Sequence, residues 1–327
     1  MGIHDEFSFI KAITPKEKRR EDVIVSIGDD AAIFRTEKNS DTIACTDTMV
    51  EDIHFKQETM EPFHIGFKAL AANISDVAAM GGIPQYYLVS IAIPEKWSEE
   101  SLMEIYKGME HLAEKYNMDL IGGDTVSTFG PLVLNVTVIG SVENDRGIKR
   151  SSAKPGDVVF ITGNIGDSAA GLHILLNEKA NKNQLSPLVL KHQMPLPNVQ
   201  AGQLLVKQDR VSLNDISDGA ASEAIEIAEA SHVDIILYKS QLPFSNDILT
   251  FGFDRALNWG LFGGEDYELI GTISQNSWEK VMAEFAKIKI KITKVGEVVE
   301  GSGKVFLQSE KRREQLLKQG YNHFGTR

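Results

Sequence analysis

Asp145-Arg146-Gly147-Ile148-Lys149-Arg150-Ser151-Ser152-Ala153-Lys154-Pro155-Gly156-Asp157-Val158-Val159-Phe160-Ile161-Thr162 divides this chain in two. Its first part is polar and turn-rich, as the edge of a domain is. Its last five residues are a run of strand formers that opens a new domain. The reading is two α/β or α+β domains, residues 1–145 and 146–327. A length of 327 residues fits two such units.

Working back from this divide, strands are expected over Val23–Ile27, Thr42–Thr46, Gln85–Ile93 and Leu132–Ile139. A short helix is expected over Glu6–Ile13. A longer one covers His64–Met80, where Ile65, Ala69, Ala72 and Val77 recur at helical spacing and Gly81-Gly82 supplies the stop. Asn73 and Asp76 share one face of it. Ser98 caps another helix, with Glu99 and Glu100 in its first turn and Leu102, Ile105, Tyr106, Met109 and Leu112 along one face. Working forward, Gly163-Asn164-Ile165-Gly166-Asp167-Ser168 links Val158–Thr162 to a helix over Ala169–Asn177. Helices over Ser222–Ala230 and Trp278–Phe285 alternate with strands over Val233–Leu237, Glu268–Ile273 and Ile292–Val299.

Composition narrows the function. The chain is 42% hydrophobic and 24% charged, with a formal net charge of −12. That balance argues against a nucleic-acid partner and a basic membrane-surface patch. No apolar run approaches the roughly 20 residues needed to cross a bilayer. A single cysteine, Cys45, forms no internal disulfide and fits a reducing compartment. The N-terminus lacks an apolar signal core, so a soluble cytoplasmic protein is expected.

Acidic residues stand beside glycines or apolar runs at several points. Asp29 and Asp30 follow Ile27-Gly28, Asp47 sits in Cys45-Thr46-Asp47-Thr48, and Asp124 ends Ile121-Gly122-Gly123-Asp124. Asp215 and Asp218 lie in Asp215-Ile216-Ser217-Asp218-Gly219, and Asp76 lies inside an apolar helical run. One Asp-Gly pair is ordinarily a turn. Here Asp30, Asp47 and Asp124 each follow a β-rich segment, which places them at strand ends where ligands bind in open sheets. Converging carboxylates repel unless cations neutralise them. Mg²⁺ takes a few carboxylates, water and phosphate oxygens. The set therefore points to metal-assisted phosphoryl transfer.

No Walker-type P-loop, dinucleotide fingerprint, zinc motif or nucleophile elbow is present. The 163–168 loop reads either as a phosphate cradle or as a tight turn with Ser168 as cap. His54 reads as structural or functional, and Arg150 as a phosphate contact or an interdomain ion pair. Glu265 and Asp266 read as a turn or a substrate contact. Tyr321 and Phe324 read as stacking groups or as a staple for the tail.

Together these stretches resemble the thiamine-monophosphate kinases, in the superfamily of aminoimidazole ribonucleotide synthetase and selenophosphate synthetase. The matching stretches, spread over nearly the whole chain, are Ile27–Ala31, Thr46–Val50, His54-Phe55, Lys68–Gly81, Ile121–Thr125, Arg150–Asp157, Thr162–Gly171, Asp215–Gly219 and Gly263–Leu269.

The resemblance implies an N-terminal mixed sheet with helices that pairs across a homodimer, and a C-terminal α/β sandwich that completes the active site. It implies direct in-line transfer of the ATP γ-phosphoryl group to thiamine monophosphate, the last step of thiamine diphosphate formation. There is no covalent nucleophile or general base. Several Mg²⁺ ions are implied on Asp30, Cys45, Thr46, Asp47, Asp76, Asp124, Asp215 and Asp218, with K⁺ as a further candidate. ATP falls on Asp30, Tyr106, Gly123, Asp124, Arg150 and Ser217. The substrate falls on His54, Glu265 and Phe324.

Two positions depart from the family pattern. Cys45 stands where serine is common, and Asp52 where glycine is usual. Selenophosphate synthetase would need a reactive cysteine in a glycine-rich N-terminal segment, and Cys45 lies in a strand. Aminoimidazole ribonucleotide synthetase fits the Ile27–Ala31 and Gly263–Leu269 wording less well. A non-catalytic Mg–ATP-binding module is the rival from another class.

Overall fold

The structure, a computed structural model, describes residues 13–15, 19–25, 33–36, 38–177 and 186–318. They form two compact units. One takes the chain up to Val77 together with Gly82–Asp145, the other Ala78–Gly81 and the chain from Arg146.

In the first unit, β1 (Val23–Val25) and β2 (Ile33–Phe34) make a small antiparallel ribbon. A four-stranded mixed sheet follows from β3 (Ser40–Val50), β4 (Ile83–Pro94), β5 (Asp119–Thr128) and β6 (Val133–Glu143), in the order β3-β6-β4-β5. Only β4 and β5 run parallel. Two helices accompany it, α1 (Pro62–Ala79) and α2 (Glu99–Tyr116). Ser98 caps α2 as its sequence requires, accepting the Ser101 N–H at 3.2 Å.

The strands outrun their expected ends, which corrects the placement of two aspartates. Asp47 and Asp124 lie within β3 and β5, not at their C-terminal ends. Thr46 and Thr48 are β-branched and pair with Thr137 and Asn135, so β3 continues past Asp47. Gly122-Gly123 looked like a turn but serves close approach. A Cβ on Gly123 would lie 1.9 Å from the Val89 carbonyl oxygen, so glycine there lets β5 stay against β4.

Strand alternation then sorts the site residues. Leu134, Val136 and Val138 of β6 are buried, and their partners on β3 are Met49, Asp47 and Cys45. The alternate row, Thr46, Thr48, Asn135, Thr137 and Ser90, faces the other way, and that face carries half-exposed Ile83 and Val126.

The second unit holds a seven-stranded sheet. Its strands are β7 (Asp157–Thr162), β8 (Val211–Asp215), β9 (Val233–Tyr238), β10 (Leu269–Ser274), β11 (Ile292–Glu300), β12 (Val305–Gln308) and β13 (Arg313–Leu316). The order is β13-β12-β9-β11-β7-β10-β8. Its helices are α3 (Asp167–Asn177), α4 (Pro187–Gln193), α5 (Val199–Leu205), α6 (Ala220–Ser231), α7 (Asn246–Leu249), α8 (Phe253–Phe262) and α9 (Gln275–Ile288). Ile161, Ile235, Ile270 and Val298 from four strands meet Ala221, Ala224 and Ala228 of α6 in one apolar core. The small side chains of α6 bring its backbone close to the sheet. Helices α4, α5, α7 and α8 were not foreseen. Pro187 at the start of α4 is the one sequence signal for it.

Candidate active site

In the first unit, the pleat turns Cys45 and Asp47 toward the side where Asp76 of α1 stands. Cys45 lies within Coulomb reach of both carboxylates. Its thiol donates to the Asn73 carbonyl at 3.3 Å. Burial, then Asp76 and Asp47, push its ionisation far above the ordinary range. The thiol is thus held in its neutral form, as its hydrogen bond to Asn73 requires. Burial also raises the Asp47 carboxyl, with His54 opposing the shift. The His54 Nδ1 accepts the Val50 N–H at 3.0 Å, so the ring proton of the neutral imidazole sits on Nε2. Asp52 adopts φ 68°, the left-handed conformation that explains a glycine preference there.

Other expected residues of this unit stand apart from that group. The Thr46 hydroxyl is 3.0 Å from the Thr137 hydroxyl and donates to the Val136 carbonyl at 3.2 Å, on the opposite sheet face. Asp124 is exposed in β5, in register with Ser90 and beside Gly123. Tyr106 is buried on α2, which holds its phenol neutral. Asp30 and Phe324 lie outside the described residues, as do Asp29 and Tyr321.

In the second unit, Asp215 ends β8, and the loop after it meets the Gly263-Gly264-Glu265 turn. Glu265 N–H donates to Ser217 O at 2.7 Å, and Tyr267 N–H to Ile216 O at 3.0 Å. A Cβ on Gly264 would lie 2.2 Å from Ser217 O, so the glycine is what lets these loops touch. Glu265 and Tyr267 are held at φ 67° and 49°. Non-glycine residues in that region are strained and cluster at functional sites. The Glu265 carboxylate lies 3.6 Å from Nδ1 of buried His192, which is 3.1 Å from the Ser168 hydroxyl.

The 163–168 loop is not a free phosphate cradle. Its Gly166 and Ser168 N–H groups donate to the two oxygens of Asp266, at 2.6 and 3.1 Å. An internal carboxylate occupies the start of α3. Full burial pushes Asp266 up to about 8, against these two hydrogen bonds, with Asp167 and Glu268 adding to the rise.

Arg150 is bound within its own unit. Its Nε donates to Asn214 Oδ1 at 3.0 Å, and its guanidinium pairs with Glu226 at 3.2 Å while the side chain stays 52% exposed. Glu223 was missed by sequence reasoning. It lies in the first turn of α6, where a glutamate reads as an ordinary helix-start residue. It is 3% exposed, and burial, then Asp215, raises it to about 8, with Glu226 and Asp218 adding to the rise.

Among the described residues no three His, Cys, Asp or Glu side chains form a ready-made metal cluster. The carboxylates instead gather around shared neighbours, Asp47 and Asp76 within Coulomb reach of Cys45, and Asp215 and Asp218 within reach of Glu223. These are hard oxygen donors of the kind Mg²⁺ uses together with phosphates. The buried Asn73 Oδ1, one turn before Asp76, has no hydrogen-bond partner among the described residues. Both observations fit a cation site completed by ligand oxygens.

This fold and these carboxylates define an AIR-synthase-related protein. The family model described as AIR synthase related protein, N-terminal domain, matches residues 28–142, and its C-terminal counterpart matches 154–308. The thiamine-monophosphate kinase of Bacillus subtilis (strain 168) is 49% identical over 324 residues, 98% of this chain and 99% of that protein. The crystal structure of the thiamine-monophosphate kinase from Stenotrophomonas maltophilia K279a superposes with a TM-score of 0.83 at 31% identity, covering 92% of this chain and 95% of that one. AaThiL complexed with AMPPCP and TMP gives 0.77 at 30% identity, covering 91% and 92%. The chain belongs to the thiamine-monophosphate kinase family.

Proposed function

We propose that this chain transfers the γ-phosphoryl group of ATP to thiamine monophosphate, giving thiamine diphosphate and ADP. The observation that carries this reading is agreement with the B. subtilis kinase over essentially the full length of both chains. The neighbour solved with AMPPCP and TMP supports ATP as the co-substrate.

The acceptor phosphate is already largely ionised near pH 7, its second pKa being about 6, so no strong base is needed. The obstacle is repulsion between two polyanions. Several Mg²⁺ ions would supply the counter-charge, and the residues that would hold them are Asp30, Asp47, Asp76, Asp124, Asp215 and Asp218, with Cys45 and Thr46 contributing through backbone oxygens. Arg150 adds fixed positive charge, because Asn214 and Glu226 hold its guanidinium in place. Ser217, Tyr106, Gly123 and Asp124 complete the nucleotide contacts. His54 offers its Nε2–H to the substrate, and Glu265 and Phe324 hold the thiamine moiety. These groups fix the in-line geometry, and no phosphoenzyme forms.

Two copies pair through the part of the β3-β6-β4-β5 sheet face that carries half-exposed Ile83 and Val126. Among the described residues no helix is long and apolar enough to cross a membrane. A cytoplasmic location follows from the single reduced cysteine and a phosphorylated acceptor.

The site reading is tested with Asp47→Asn and Asp76→Asn. Both are expected to lower turnover by about a thousandfold or more while leaving the circular dichroism spectrum unchanged. An unchanged rate in either variant removes that residue from the metal site.

A further inference from the structure

Two loop residues and one strand residue of the second unit are tied together by one buried side chain that the family resemblance does not mention. Glu223 Oε1 accepts the Asp218 N–H at 3.0 Å and the Ser217 hydroxyl at 3.2 Å. Its Oε2 accepts from Asn214 Nδ2. Asn214, 2% exposed, also donates to Glu226 Oε2 at 3.2 Å. The oxygen of the same amide accepts the Arg150 Nε–H at 3.0 Å. Both ends of this amide are used, so its orientation is fixed: the NH₂ faces carboxylates and the oxygen faces the guanidinium.

Stability alone does not account for Glu223. It is buried within reach of Asp215, Asp218 and Glu226. A glutamine would remove the repulsion from three other carboxylates while keeping one acceptor oxygen. A carboxyl group offers one oxygen to each side, Oε1 to the loop and Oε2 to Asn214, which a glutamine with its single oxygen does not.

We propose that Glu223 is a positioning residue for the nucleotide side of the reaction, holding Ser217 and Asp218 directly and Arg150 through Asn214. The inference rests on the proposed roles of Arg150 and Ser217 at ATP. It concerns nothing at Glu265, whose carboxylate faces His192.

Glu223→Gln separates these roles. A glutamine that accepts from Ser217 and Asp218 turns its NH₂ toward Asn214. The asparagine must then rotate its oxygen away from Arg150. The expected result is a rise of about tenfold in KM for ATP, the size of one disturbed charge-assisted contact. KM for thiamine monophosphate stays within about twofold and Tm is unchanged or higher. Calorimetric binding of Mg–AMPPCP, with no turnover involved, weakens by the same factor as KM for ATP. Because the variants act on one chain of contacts, Glu223→Gln added to Arg150→Ala should raise KM for ATP little further. Glu223→Asp, too short to reach both sides, should act like the glutamine.

The proposal is overturned if KM for ATP and AMPPCP binding stay within about twofold, if both KM values rise together, or if the double variant is additive. If Arg150→Ala itself leaves KM for ATP unchanged, the nucleotide-site reading fails. If Arg150→Ala weakens ATP and Glu223→Gln does not, only the Glu223 inference fails.

Discussion

Asp266 shows how one residue can reverse the meaning of a motif. The glycine-rich loop at 163–168 follows a strand and opens a helix, so its N–H groups suit a phosphate. Asp266 already accepts two of them. Its ionisation rises from an ordinary 3.8 to about 8. Between these values the folded chain holds a proton at Asp266 that the unfolded chain has lost. This residue's contribution to stability therefore falls as pH rises through that window. Asp266→Asn should flatten the pH dependence of Tm between pH 4 and 8, while costing about 1–3 kcal/mol for the second acceptor that the amide NH₂ cannot replace. An equally steep dependence in the variant would show that Asp266 is ionised throughout. At this scale the sequence named most candidates, because aspartates beside apolar runs need partners. It did not reveal Glu223 or His192, whose importance lies in contacts with residues distant in the chain.

At the scale of elements, the β4–β5 pair depends on Gly123. A Cβ there would lie 1.9 Å from a carbonyl oxygen, whereas one on Gly130 would meet nothing nearer than 3.5 Å. Gly123→Ala should therefore destabilise the fold by more than about 2 kcal/mol, and Gly130→Ala by less than about 0.5 kcal/mol, read from urea midpoints. Equal midpoints would mean that β5 shifts without cost. The same glycine explains why strand limits were misread. Gly-Gly-Asp has the composition of a turn, and only the opposing backbone shows it to be a strand. Helices were legible where apolar spacing and a cap coincided, as in α2. They were not legible where they were as short as α4 and α5, each seven residues with little room for periodicity.

At the scale of the whole molecule, the divide near residue 145 was readable because a polar, turn-rich stretch meets a strand. How the first sheet is used was not, because the exposure of Ile83 and Val126 on one face shows only once the strands are paired. If two copies pair there, Val126→Glu, which adds charge beside Ala92 and Val133, should turn a dimer into a monomer in sedimentation velocity. A dimer that persists would move the interface elsewhere. The central claim is tested most directly by incubating the protein with ATP, Mg²⁺ and thiamine monophosphate and following thiamine diphosphate and ADP together. Equal amounts of the two products, both requiring thiamine monophosphate, are predicted. ADP with inorganic phosphate and no thiamine diphosphate, or no turnover at all, would contradict the account.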